Sequence, residues 1–177
     1  NILDPISFLI DNLQMGKNII TISKNHNVKR FLNFGSSCIY PKDAKNPLRE
    51  AQILDGPLEP TNEGYALSKI VTLKLCNYIS QNDPSFLYKT IIPCNLFGEY
   101  DDFNEATSHL LPAIINKIHK AKSENRKKVV IWGDGKVRRE FLYVLDLAKI
   151  VLKFLDNIER FPNVFNVGTG RDFSVLE

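Results

Sequence analysis

Hydrophobic residues recur along this chain in two ways, at helical spacing in some segments and in short continuous runs in others. The helical spacing predicts helices over residues Asn1–Asn27, Asn62–Asn82, Ser108–Lys122 and Phe141–Leu155. The short runs, each bounded by polar residues, glycine or proline, predict strands at Phe31–Phe34, Lys89–Ile92, Val129–Trp132 and Asn163–Val167. Because strands alternate with helices, we expect an α/β fold with a mainly parallel sheet.

The connection over residues 41–61 is rich in proline, so we predict a loop there. Loops of this length in compact domains are uncommon and are often functional. Ligands of open parallel sheets bind beyond the carboxyl ends of the strands. Two predicted strand ends, at Gly35–Cys38 and Pro93–Asn95, flank a helix in sequence, so side chains at the first strand end and on that helix can converge on one crevice. They are Ser36, Cys38, Tyr65 and Lys69.

Composition narrows the class of protein. The chain has 177 residues, of which 44% are hydrophobic and 24% charged, as expected of one globular domain with a real core. A net charge of +3 is too mild to indicate nucleic-acid binding. We see no apolar run long enough to span a membrane and no signal peptide. Both ends look cut from a longer sequence.

The cysteines are Cys38, Cys76 and Cys94. They are odd in number and widely spaced, so they indicate neither a disulfide framework nor a metal site. A reducing compartment, the cytoplasm, is the simpler inference.

Tyr65 and Lys69 are four residues apart on a predicted helix and so share one face. An ammonium beside a phenol favours the phenolate and makes the phenol a better proton donor. Bringing a tyrosine pKa from about 10 to about 7 requires roughly 4 kcal/mol. One charge about 4 Å away in a partly dry cleft can supply that amount. The pair suits proton transfer at a carbonyl or carbinol carbon, although a surface pair on an amphipathic helix is the alternative.

Several further segments form a pattern with this pair. They are Gly35-Ser36-Ser37-Cys38-Ile39-Tyr40-Pro41, Tyr65-Ala66-x-x-Lys69, Pro93-x-Asn95-Leu96-Phe97-Gly98, Ser108-His109, Trp132-Gly133-x-Gly135 and Arg139-Glu140-Phe141-Leu142. Together they resemble the extended short-chain dehydrogenase/reductase family of NAD-dependent epimerases, over nearly the whole chain. The resemblance implies a Rossmann-like parallel sheet flanked by helices, incomplete, with part of a smaller substrate lobe.

The resemblance also implies an activity, namely an NADP-dependent epimerase-reductase of a GDP-4-keto-6-deoxy-sugar. Such an enzyme inverts C3 and C5 and then reduces the C4 ketone. Tyr65 would give a proton to the C4 oxygen, with Lys69 lowering its pKa, and Ser36 would bond the same oxygen. Cys38 would be the base that removes protons beside the ketone, and His109 the acid that returns them on the other face.

The same resemblance implies binding residues and a partner. The GDP-sugar would be held by Lys117, Trp132 and Arg139. The NADPH site would be formed by Phe34, Gly35, Ser36, Ser37, Tyr65, Lys69, Pro93, Cys94, Asn95, Leu96 and His109. A homodimer is implied, with the helices Asn1–Asn27 and Asn62–Asn82 as its face.

Alternatives stay open at this stage. Cys38 could be a small buried hydrophobe, His109 a helix cap, and Trp132 a core residue. The substrate could be a GDP-6-deoxy-heptose, or the activity a 4-epimerase or 4,6-dehydratase. Gly64, Glu99, Leu145 and Lys117 depart from the family pattern, which puts the sugar in doubt. No Gly-x-x-Gly-x-x-Gly occurs, so we expect the phosphate-loop region and the end of the substrate lobe to be absent. A degenerate nucleotide-sugar-binding module is the non-enzymatic alternative.

Overall fold

A computed structural model describes residues 4–104 and 107–177. Its helices are α1 (Pro5–Asn25), α2 (Glu63–Asn82), α3 (Leu110–Ser123) and α4 (Val144–Asp156). Its strands are β1 (Arg30–Phe34), β2 (Leu87–Pro93), β3 (Asn95–Phe97), β4 (Arg138–Tyr143), β5 (Val164–Val167) and β6 (Asp172–Ser174). The chain divides into two units, one made of Asn1–Cys94 with Lys149–Val167 and the other of Asn95–Ala148 with Gly168–Glu177.

The first unit is built on a parallel sheet in the order β1-β2-β5. Its helices α1 and α2 pack against each other. Helix α1 begins where Asp4 accepts a hydrogen bond from the Ser7 amide at 3.0 Å, with Pro5 in the first turn. Helix α2 ends at Asn82, just before Asp83-Pro84, because proline disfavours helix in the residue before it.

The central strand β2 is almost entirely buried, and the buried residues include Lys89 and Thr90 as well as the apolar ones beside them. One core cluster joins it to α2 and to the segment after β1, through Ile39, Tyr40, Leu58, Ala66, Ile70, Leu73 and Ile92. A second cluster joins it to α1 and consists of Ile20, Cys76, Ile79, Phe86 and Tyr88. Each large apolar side chain buried in this way contributes about 1.5–3 kcal/mol.

In the second unit, β4 pairs in parallel with β3 and antiparallel with β6. Gly133 and Gly135 lie in the turn that precedes β4, and both have positive φ angles, which favour glycine. No helix in residues 4–104 or 107–177 is long and apolar enough to cross a membrane.

The prediction of a strand at Val129–Trp132 is wrong. These residues form no strand, and all except the half-buried Val129 are exposed, with 75% of Val130 and 81% of Trp132 accessible. The strand of this region is β4, which also takes the first residues of the helix predicted at Phe141–Leu155, so that α4 begins at Val144. An apolar run has β propensity but forms a strand only where a partner strand is available.

The other predicted elements are found with shifted ends, and residues 1–3 of the first predicted helix lie outside the described residues.

Candidate active site

The chain turns sharply at the end of β1 and presents Ser36 and Cys38 there. The buried Gly35 amide donates to the Ile91 carbonyl at 2.8 Å. A Cβ at position 35 would lie 3.1 Å from that carbonyl oxygen, so a side chain would crowd β2. Ser36 then caps a short 3-10 turn, Ser37–Ile39, by accepting from the Cys38 amide at 3.3 Å.

Helix α2 brings Tyr65 and Lys69 to the same strand end. The Tyr65 hydroxyl is hydrogen-bonded to the Ser36 side chain, and Cys38 is close enough for a thiolate there to influence the phenol. The Lys69 Nζ donates to the Phe34 carbonyl at 3.2 Å and lies 5.5 Å from the centre of the Tyr65 ring. The structure thus gathers a phenol, a hydroxyl, a thiol and an ammonium at the carboxyl end of β1.

The expected direction of the Tyr65 pKa is wrong for this structure. Burial raises the pKa of Tyr65, the hydrogen bond to Ser36 lowers it, and the charge of Cys38 raises it. Burial also lowers the pKa of Lys69. Desolvation of the phenol has a larger effect on the Tyr65 pKa than the Lys69 ammonium has, because the ammonium directs a donor at the Phe34 carbonyl. The phenol therefore stays protonated at neutral pH, as a proton donor must be.

The groups near Lys69 suit the nicotinamide ribose of a dinucleotide. An ammonium has three donors, and Lys69 uses one on the Phe34 carbonyl. The remaining donors can bind ribose hydroxyls at a strand end, where parallel sheets bind such ligands. Phe34 is 42% exposed beside them. The residues present therefore fit the nicotinamide half of the cofactor.

The remaining predicted cofactor residues have backbone or strand roles here. Ser37 is half-buried in the 3-10 turn, and its carbonyl accepts from the Tyr40 amide at 3.3 Å. Pro93 ends β2, and the Cys94 amide donates to the Val167 carbonyl at 2.9 Å. These contacts fix the end of β2 beside β5.

Asn95 and Leu96 belong to β3 of the second unit. Asn95 Nδ2 donates to the Glu140 carbonyl at 2.9 Å. The side-chain amide of Asn95 therefore helps to hold β3 to β4.

His109 is the residue that precedes α3 in the second unit. Its imidazole makes no capping hydrogen bond, so the alternative of a side-chain cap is wrong. Its carbonyl accepts from the Ala113 amide at 3.0 Å, which fixes the backbone, and the residue is exposed. The imidazole is thus held at a helix start and is accessible to a ligand.

Lys117 and Trp132 form a cation–π pair in the second unit. The Lys117 Nζ lies 4.8 Å from the centre of the indole ring and donates to the Val130 carbonyl at 3.1 Å. Because Trp132 is 81% exposed, the alternative of a core role is wrong. An exposed indole with an ammonium beside it can stack on a flat, electron-rich ring.

Arg138 and Arg139 are adjacent on β4 but have different partners. Arg138 bonds Asp172 through Nε at 3.1 Å and Nη2 at 3.0 Å, and Glu177 through Nη1 at 3.2 Å. The Arg139 Nη1 donates to the Arg138 carbonyl at 2.8 Å. Arg138 therefore ties β4 to β6 and the residues after it. Among the described residues, no ion pair uses Arg139.

Gly64, which departs from the family pattern, has a packing role. A Cβ at this position would lie 3.0 Å from the Pro5 carbonyl oxygen and 3.4 Å from Leu9 Cβ. The glycine thus lets the first turn of α1 approach the start of α2. A cleft of about 230 Å³ opens there, lined by Pro5, Phe8 and residues 60–65. Tyr65 is the one predicted catalytic residue on its wall, so this cleft adjoins the strand-end cluster at that residue.

Sequence reasoning did not find a polar cluster that joins β5 to the segment after β1. The Tyr40 hydroxyl donates to Asn166 Oδ1 at 2.6 Å, although the two residues are 126 positions apart. No local pattern signals a contact across that separation.

Comparisons with known proteins agree with this fold. Residues 1–168 match the family described as the NAD dependent epimerase/dehydratase family. The chain belongs to that family, which confirms the family expected from the motifs.

Among individual proteins, the GDP-L-colitose synthase of Yersinia pseudotuberculosis is 50% identical over 100% of this chain and 58% of its own length. The GDP-L-fucose synthase of Azorhizobium caulinodans is 52% identical over 100% of this chain and 56% of its own length. The chain therefore spans little more than half the length of these relatives.

Solved structures agree as well. A GDP-mannoheptose C4 reductase from Campylobacter jejuni with NADP bound is 30% identical, with a TM-score of 0.90 over 99% of this chain and 62% of that one. A GDP-L-fucose synthetase from Naegleria fowleri is 30% identical, with a TM-score of 0.84 over 97% of this chain and 53% of that one. These similarities confirm the Rossmann-like α/β fold.

Proposed function

We propose that this chain is the central part of an NADP-dependent epimerase-reductase of a GDP-4-keto-6-deoxy-sugar, similar to GDP-L-fucose synthase. The observation that carries the proposal is the cluster of Tyr65, Ser36, Cys38 and Lys69 at one strand end. Support comes from the two curated relatives, which cover this chain completely. Because the chain spans 56–58% of those relatives, we propose that the phosphate-loop region and the end of the substrate lobe lie outside it.

The first stage is proton exchange beside the C4 ketone, which acidifies the protons at C3 and C5. The Cys38 thiolate takes one of these protons, and the C–H electron pair moves onto the C4 oxygen as an enolate. The hydroxyls of Ser36 and Tyr65 hydrogen-bond that oxygen and stabilise its charge. His109, as imidazolium, gives a proton to the opposite face of the carbon, which inverts it. Exchange with water restores the thiolate and the imidazolium.

The second stage is reduction at C4, for which bound NADPH supplies a hydride. Tyr65 gives its proton to the C4 oxygen as that oxygen becomes a hydroxyl. The raised pKa of Tyr65 keeps this proton in place until the step occurs. Lys69 orients the nicotinamide ribose and stabilises the phenolate that remains until water reprotonates it. Overall, a ketone and NADPH with one proton become an alcohol and NADP⁺.

The second unit supplies groups for the GDP moiety. We assign the diphosphate to Arg139, because a guanidinium binds two oxygens at once and the neighbouring Arg138 is already used by Asp172. We assign the guanine to the exposed Trp132 ring with Lys117 beside it.

A GDP-heptose is the second candidate substrate, supported by the similarity to the Campylobacter jejuni GDP-mannoheptose C4 reductase. A 4-epimerase would not need Cys38 and His109, and a 4,6-dehydratase usually has an acidic pair where this chain has Ser37 and Cys38. Both are therefore less well supported. A degenerate binding module would show nucleotide-sugar binding without turnover.

The test uses the full-length protein in D₂O with NADPH and either GDP-4-keto-6-deoxy-mannose or a GDP-4-keto-heptose. We expect deuterium at C3 and C5 of the product, together with NADPH oxidation. Cys38→Ser should slow deuterium uptake by about 100-fold or more. Tyr65→Phe should slow NADPH oxidation by a similar factor and slow deuterium uptake less, because the Cys38 base and the Ser36 hydroxyl remain. Tyr100→Phe, which lies outside α2 and has a side chain that is 98% exposed, is the matched control. Uptake that persists in Cys38→Ser would refute the assigned base.

We also propose a homodimer formed through α1 and α2. On α2, the apolar side chains of Leu67, Val71 and Tyr78 recur at helical spacing and are 39%, 47% and 62% exposed. Light scattering should give a dimer for the native protein and a monomer for Val71→Glu. Ile118→Glu, at a comparably exposed position on α3, should remain dimeric. A native monomer would contradict the proposal.

The free cysteines fit a reducing compartment, so we place the protein in the cytoplasm. Cell fractionation of the tagged protein tests this location.

A further inference from the structure

The turn that carries Cys38 is fixed at both of its ends. At its beginning, the Ser36 side chain accepts from the Cys38 amide at 3.3 Å. At its end stands Tyr40, whose amide bonds back to the Ser37 carbonyl at 3.3 Å. The Tyr40 hydroxyl donates to Asn166 Oδ1 at 2.6 Å. The position of the thiol therefore depends on a contact with β5.

Asn166 makes two further contacts, both to the middle of the loop over residues 41–61. Its Nδ2 donates to the Leu48 carbonyl at 3.1 Å. Its amide donates to Glu50 Oε1 at 2.6 Å. One residue near the carboxyl end of β5 thus holds both the Cys38 turn and the long loop that follows it.

The Tyr40 contact is well suited to fixing a position. The residue is 5% exposed and packs with Ile39, Leu58 and Ile92 in the core. Burial raises the pKa of Tyr40 to about 12, so its hydroxyl remains a donor throughout the physiological range. A buried hydroxyl that loses its acceptor must find another, and the turn can shift as it does so. Asn166 itself is exposed, so replacing it opens no cavity in the core.

We propose that Asn166 is a positioning residue for the proton-exchange stage of the proposed reaction, acting on Cys38 through Tyr40. The inference rests on the proposed function. The hydride stage uses Tyr65 and Lys69 on α2, and the contacts of Asn166 described above are to other elements. Loss of Asn166 should therefore slow exchange more than reduction.

A lower ratio of the exchange rate to the reduction rate changes the product. When exchange is slow, reduction acts on ketone that has not yet been inverted. The product then contains less deuterium at C3 and C5, and some of it keeps the starting configuration. A displacement of about 1 Å can cost on the order of 100-fold in rate, so the ratio is a sensitive measure.

The experiment compares two variants with matched controls in the full-length protein, in D₂O with NADPH and GDP-4-keto-6-deoxy-mannose. Asn166→Ala is compared with Asn163→Ala, because both asparagines are exposed and lie near opposite ends of β5. Tyr40→Phe is compared with Tyr88→Phe, which also removes a buried hydroxyl. Among the described residues, the Tyr88 hydroxyl has no hydrogen-bond partner. Mass spectrometry gives deuterium per product, and absorbance gives NADPH oxidation.

Asn166→Ala and Tyr40→Phe should each lower the ratio of exchange to hydride transfer by about 10-fold or more, and the controls should leave it unchanged. A native ratio in both variants, or equal losses of both rates, would overturn the proposal. If Tyr40→Phe does not fold, Asn166→Ala decides the question, with Asn166→Asp as the conservative variant. Failure of the proposed function is recognised separately, since the native protein would then show neither deuterium uptake nor NADPH oxidation.

Discussion

Raising the pH should destabilise this protein partly through Cys76, a residue with no role in the proposed chemistry. Its side chain is 0% exposed and packs with Ile20, Ile79 and Phe86. Burial raises the pKa of this thiol from 9.0 to about 12, while a hydrogen bond with Thr90 lowers it. In the unfolded chain the thiol ionises near pH 9, so between pH 9 and 12 the unfolded state binds fewer protons. The free energy of unfolding therefore falls as the pH rises through that window.

The size of the effect follows from the shift. Three pKa units correspond to about 4 kcal/mol at the end of the window, and about 1.4 kcal/mol is already lost by pH 10. Cys76→Ala removes this loss but leaves a small cavity, at a cost of about 1 kcal/mol at neutral pH. The variant should thus be less stable than the native protein at pH 7 and about equally stable at pH 10.

Urea unfolding followed by far-ultraviolet circular dichroism between pH 7 and 10 tests this. The fluorescence of Trp132 is a poor probe of the core, because that side chain is 81% exposed. Cys76→Ser is the second variant, since a hydroxyl does not ionise in this range and its curve should run parallel to that of Cys76→Ala. A constant difference in unfolding free energy between native protein and variants from pH 7 to 10 would refute the reasoning.

Three further variants test packing and polar contacts. Tyr88→Phe removes a buried hydroxyl that has no partner among the described residues, so thermal melting should show unchanged stability or a gain of about 1 kcal/mol; a clear loss would contradict this. Glu140→Ala removes the carboxylate that accepts a 2.6 Å hydrogen bond from the Gly170 amide. Hydrogen exchange at that amide, measured by NMR, should therefore become faster, and an unchanged rate would count against the contact. Gly98→Ala places a Cβ against Val144 Cγ1 and should cost about 1–3 kcal/mol in chemical denaturation. Much of this loss should be recovered in the double variant with Val144→Ala, and additive losses would disprove the clash.

The strands that the sequence predicts are those of the first unit, and the reason is burial. Strand β2 has a partner strand on both sides and is buried, so most of its residues are apolar or β-branched, with Lys89 as the exception. Strands β3 and β6 have three residues each, too few for a periodic signal. The run Val129–Trp132 has the composition of a strand, yet it forms none and is mostly exposed, because strand formation depends on a partner strand that a local pattern does not reveal.

The candidate site, like the fold, was predictable from the sequence only in part. The topology of a parallel sheet was sufficient to predict that Ser36, Cys38, Tyr65 and Lys69 come together. The direction of the Tyr65 pKa was not predictable, because the extent of burial is set by the packing around α2. The contact between Tyr40 and Asn166 was also out of reach, since it joins distant parts of the chain.

In binding proteins, anchoring a strand and contacting a ligand often place conflicting demands on the same residue. In β4 these two tasks can fall to two adjacent arginines. Consecutive strand residues face opposite ways, and here one guanidinium is committed to Asp172 and Glu177 while its neighbour is not. Under the proposed function, substitutions at position 139 should change ligand preference while the anchoring of β4 at position 138 stays intact. Under that proposal, single substitutions at position 139 would alter ligand choice with little need for compensating changes elsewhere.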